Sequence, residues 1–106
     1  MVNITVFVKN GDYAGIESKG HAGYGEESSD IVCAAVSALM INTVNSIEKF
    51  TEDDFSGEQG DGFLSFRFTD KISEKSKLLM DSLVLGLETI QENYGRNFLE
   101  ITSEEV

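Results

Sequence analysis

The sequence has no proline and no tryptophan, and only one cysteine and one histidine among its 106 residues. One cysteine cannot close a disulfide within the chain, which excludes a disulfide-stapled scaffold. With one His and one Cys, a zinc site would have to rest on carboxylates, so no metal is expected and no cofactor is called for. Positive charge is scarce: 8 Lys and Arg stand against 19 Asp and Glu, for a net charge of −11. Phosphate-backbone binding needs clustered Lys and Arg, so no direct nucleic-acid partner is expected. No unbroken apolar run reaches the ~18 residues of a bilayer span, and no membrane partner is expected. The opening MVNITVFVKN lacks a basic n-region and a small-residue cleavage site, so it does not read as a signal peptide. A single thiol in a proline-free chain fits a reducing cytoplasm.

The composition, 41% hydrophobic and 25% charged, is that of an ordinary globular protein. The length fits one domain, residues 1–106, with a core large enough to need no staples. The acidic balance favours a cationic partner, drawn in by long-range attraction.

Residues 2–9 alternate, with Val2, Ile4, Val6 and Val8 on one side, and predict a half-buried strand. Asn10-Gly11-Asp12 signals a hairpin turn, and Tyr13 to Lys19 returns as a second strand. GHAGYGEESS, from Gly20 to Ser29, reads as a Gly-rich loop. Asp30 is then the expected N-cap of a helix running to about Lys49, whose first half, IVCAAVSALMI, is apolar nearly all round. A third strand is expected over 51–57, a turn over Glu58 to Gly62, and a fourth strand over Phe63 to Thr69. Asp70 or Ser73 caps a second helix that ends near Tyr94, with Gly95 as the residue beyond it. A short strand from Asn97 to Thr102 closes the chain. The order ββαββαβ predicts an α+β two-layer sandwich, with two helices packed on a small mixed sheet.

Cys33 falls in the first turn of the expected helix, where unsatisfied N–H groups and the helix dipole favour thiolate. The plainer reading is a small buried hydrophobe. His21, the only histidine, is twelve residues upstream, where it could serve the thiol as a base near neutral pH. A lone loop histidine is otherwise simply solvated. Asp30 is a cap that could also orient His21, and Ser37 is one turn after Cys33 on the same helix face. The loop could be taken for an anion cradle, but it matches no phosphate-loop spacing, and Glu26, Glu27 and Asp30 would repel phosphate. The acids Glu48, Glu52, Asp53, Asp54, Glu58 and Asp61 read as a solvated rim without calcium-loop spacing.

Residues 20–39, GHAGYGEESSDIVCAAVSAL, closely resemble the ribosomal-processing cysteine protease family, Prp. The shared pattern is Gly20-His21, a Gly-rich loop, and Asp30-Ile-Val-Cys-Ala-Ala-Val-Ser37. Length and strand–helix order are similar over essentially the whole chain. The resemblance implies a Cys–His endopeptidase, with Cys33 and His21 catalytic and Gly20, Asp30 and Ser37 supporting the site. It implies that a short N-terminal extension is removed from a basic substrate, large-subunit ribosomal protein twenty-seven, during ribosome maturation. It also implies a homodimer, and a movable lid loop that here would contain Gly23, Tyr24 and Gly25. Two rival readings use the same residues. An acidic dimer could escort a basic ribosomal protein without chemistry, or the thiol could carry an acyl or redox group. Thiol reactivity separates the first rival from the protease, and the lack of a resolving cysteine disfavours redox work.

Overall fold

The computed structural model describes residues 1–20 and 27–106. Its elements run β1 (Val2–Lys9), β2 (Asp12–Lys19), α1 (Glu27–Phe50), β3 (Phe55–Gly60), β4 (Phe63–Phe68), α2 (Glu74–Tyr94) and β5 (Leu99–Glu105). The five strands form one sheet in the order β3-β4-β2-β1-β5. All neighbours are antiparallel except β1 and β5, which run parallel, so the sheet is mixed as expected. Asn10 and Gly11 both take positive φ, 52° and 83°, the two-residue hairpin geometry that Asn-Gly favours.

One face of the sheet carries the core. Val2, Ile4 and Val6 of β1, Ile16, Phe66 and Leu99 meet Val32, Val36, Met40 and Ile47 of α1 and Met80, Leu83 and Leu87 of α2. These helix positions recur at spacings of three, four and seven, so each helix turns one stripe inward. Burying each such side chain stabilises the fold by about 1.5–3 kcal/mol. The helices approach closely where Gly86 faces Leu39: an added Cβ would come within 2.8 Å of Leu39 Cδ1. On the opposite sheet face Phe7 is also buried, under the Arg67 guanidinium 3.8 Å from its ring centroid.

Several boundaries differ from the sequence reading. α1 begins at Glu27, three residues before Asp30, so Asp30 lies in the first turn and is not the cap. Glu27, Ser28 and Ser29 are polar and resemble a loop, yet an acidic residue at a helix start is favoured by the dipole. β3 covers 55–60 and not 51–57, because its register is set by pairing with β4 across the turn at Asp61 and Gly62. β5 extends to Glu105, since parallel pairing with β1 continues to Val8. Ser73, not Asp70, caps α2: its Oγ accepts from the Ser76 N–H, and α2 ends at Tyr94 as the spacing predicts. By length and composition alone, Asp30–Phe50 could cross a membrane, although the sequence shows no unbroken run of that length. One stripe of this helix, Val32, Val36, Met40 and Ile47, is buried in the core, while Ile31, Ile41 and Phe50 stay exposed.

Candidate active site

α1 leaves the β2 end of the sheet with its core stripe, Val32, Val36 and Met40, facing the strands. The adjoining stripe, one residue on, is Cys33, Ser37 and Ile41, spaced four apart. This stripe borders a cleft of about 150 Å³ whose far wall is the β3–β4 hairpin, with Gln59, Gly60 and Leu64. Cys33 is half-buried and lines this cleft, and Ser37 beside it is exposed. Cys33 also packs against the core, so the plainer reading of it as a small buried hydrophobe holds in part.

Gly20 forms the floor where β2 ends. Its N–H donates to the Gly62 carbonyl at 2.8 Å, tying β2 to the hairpin turn. Its φ is +96°, and a Cβ there would fall 2.5 Å from the Met1 carbonyl oxygen. The position therefore rejects any side chain both by its dihedral and by the backbone it faces. The chain passes directly from this fixed point to His21.

The structure thus brings Gly20, Cys33 and Ser37 to one cleft. Asp30 is exposed and not among the described residues that line it. His21 and the loop residues Gly23, Tyr24 and Gly25 lie outside the described residues. Among the described residues no cluster of His, Cys, Asp and Glu could hold a metal ion.

Two further expectations change. Cys33 is the seventh residue of α1, in its second turn and not its first. The backbone N–H groups of Val32 and Cys33 fall past the four unbonded donors of a helix start and are spent on i→i−4 bonds, so the unsatisfied N–H groups expected beside the thiol are not there. Dipole assistance to the thiolate fades over the same distance. The sequence reading also missed the opposite wall. Ile41 could have been found, being two turns along the Cys33 stripe. Gln59, Gly60 and Leu64 could not, because a distant hairpin brings them in.

The carboxylates read as a rim are not uniform. Asp53 Oδ2 accepts from the Ser73 N–H at 3.0 Å, from Ser73 Oγ at 2.6 Å, and from Ser76 Oγ. These bonds, the Ser73 hydroxyl foremost, hold its carboxyl below the usual carboxylate range. They pin the α1–β3 connection to the start of α2, away from the cleft.

A small α+β scaffold with a helix-borne thiol lining a cleft beside a β-hairpin fits the class of thiol-dependent enzymes. The chain belongs to the family described as "Cysteine protease Prp", which matches residues 1–98. The ribosomal processing cysteine protease Prp of Staphylococcus aureus is 30% identical over 100 residues, covering 92% of this chain and 94% of the relative. That of Bacillus subtilis is 33% identical over 94 residues, covering 82% of each. A crystal structure of an essential ribosomal processing protease Prp from S. aureus, with a covalently linked product peptide, superposes with a TM-score of 0.88 at 27% identity. The match covers 98% of this chain and 100% of that one. The protein is a cysteine protease of this ribosomal processing family.

Proposed function

We propose that the protein, with residues 1–106 acting as one unit in a reducing cytoplasm, removes a short N-terminal extension from large-subunit ribosomal protein twenty-seven. The observation that carries this reading is the placement of Cys33, half-buried on α1 and lining the cleft. Cys33 is the nucleophile and His21 its base. His21 takes the thiol proton, the sulfur attacks the scissile carbonyl, and a tetrahedral oxyanion forms. His21 returns the proton to the departing amine, which leaves as the new N-terminus of the substrate. Water then attacks the thioester, giving up a proton to His21; the carbon–sulfur bond breaks, the extension departs as a carboxylic acid, and the Cys33 thiolate takes the proton back from His21. Gly20 sets the backbone just ahead of His21. Ser37 offers a hydroxyl beside the sulfur. The loop that holds Gly23, Tyr24 and Gly25 acts as the lid over the bound chain.

The partner chemistry follows from charge and shape. A net charge of −11 suits a basic ribosomal protein as substrate. Leu78 and Leu85 support the homodimer: they are 70% and 66% exposed, a heptad apart on the outer side of α2. Antiparallel pairing of two copies with Leu78 opposite Leu85 would cover both. The test of function is incubation with the host's ribosomal protein twenty-seven in its extended form. A single cut that releases the extension, read by mass spectrometry, supports the reading. An intact substrate beside cleavage of unrelated peptides would reassign it.

A further inference from the structure

We propose that the free edge of β3 is the docking rail for the substrate, whose main chain adds to the sheet as a further strand at Gly57 and Gln59. This rests on the reading of Cys33 as a peptidase nucleophile. β3 ends the sheet order, and among the described residues it pairs only with β4. The ladder fixes which of its backbone groups face outward. The Thr69 N–H bonds the Asp54 carbonyl at 3.0 Å, so that pair is a hydrogen-bonded one. In an antiparallel ladder such pairs alternate. Ser56 with Arg67, Glu58 with Ser65 and Gly60 with Phe63 therefore exchange bonds across β3 and β4. Phe55, Gly57 and Gln59 turn their N–H and C=O groups the other way, to the open edge.

This edge lacks the usual protections. It carries no proline and no lysine, and Glu58 is its one charge. Ser56, Gly57, Glu58, Gln59 and Gly60 are all exposed. Its far end is also the wall of the Cys33 cleft, through Gln59 and Gly60. A chain paired along the edge would run toward that cleft. Side chains of a paired strand alternate between the two sheet faces. Every second substrate residue would then face the helix side, where Leu64 and Ile41 stand, and the others would face the side of Glu58. Main-chain pairing supplies affinity, and the alternating pockets supply selectivity. The only side chain at the two pairing positions is that of Gln59, and glycine at 57 leaves the approach open: a Cβ there would meet nothing nearer than 3.4 Å.

The test has two readouts on the whole chain. First, a series of substrate peptides, each N-methylated at one amide, is assayed for kcat/KM with the wild-type protein. Edge pairing predicts a period of two on one side of the cut: roughly fivefold to tenfold losses at every second amide, small effects between them. Second, amide exchange is followed by NMR in Cys33→Ala with and without the unmodified peptide. Gly57 and Gln59 should slow at least tenfold on binding, and Ser56 and Glu58, already bonded, should change little. If the peptide is cleaved but losses show no alternation and exchange at Gly57 and Gln59 is unaltered, the rail is overturned and the peptidase reading stands. If the wild-type protein cleaves no peptide of the series, including the unmodified one, both fall.

Discussion

Cys33, His21 and Gly20 differ in how a sequence reveals them. The motif around Cys33 marks the thiol without reference to any fold, and the structure adds the cleft that it lines. Gly20 was legible only as part of that motif; its physical reason is the Met1 carbonyl, which no spacing rule foretells. Gly20→Ala forces a side chain into positive φ against that carbonyl. It should lower stability by about 1–3 kcal/mol in urea unfolding. A variant as stable as wild type would mean the Met1 strand shifts freely. Asp30 was misread because a helix start is a contest among several good first-turn residues, and the polar run Glu27-Ser28-Ser29 joined the helix.

At the scale of elements, the alternating strands and both helices were legible because one periodic face of each had to be buried. β3 was expected as a strand but with the wrong bounds, since FSGEQG offers little apolar content beyond Phe55. Its place is dictated by β4, where Phe55 meets Phe66 edge-on at 5.8 Å between ring centroids. The same distant pairing hid the far wall of the cleft. Asp53 shows a comparable long-range effect, joining the α1–β3 connection to α2 through Ser73 and Ser76. Its folded carboxyl lies below the ordinary value, chiefly through the Ser73 hydroxyl. The stabilisation is therefore present above the unfolded carboxylate range, near pH 4, and is lost as pH falls through the lower folded value. Asp53→Ala should cost about 1–2 kcal/mol at pH 7. Its deficit relative to wild type should shrink steadily below pH 4 in acid unfolding curves. A pH-independent deficit would assign the loss to packing instead.

For the whole molecule, charge and exposed apolar surface set the behaviour in solution. With a net charge of −11, attraction of a basic substrate acts over a screening length of about 10 Å at 0.1 M salt. Raising the ionic strength should lower kcat/KM and leave kcat nearly constant, and a flat profile would remove steering from the account. Leu78→Glu with Leu85→Glu should convert the proposed dimer to monomer in sedimentation analysis, because both leucines stand outside the core. A dimer that persists would place its interface elsewhere. The central claim is that Cys33 carries the substrate as a thioester, and an acid-quenched intact-mass measurement during turnover tests it most directly. The account predicts a transient adduct on Cys33 equal to the released extension less one water, absent in Cys33→Ala, which leaves the substrate whole. Undiminished cleavage by Cys33→Ala, with no adduct on the wild-type protein, would contradict it.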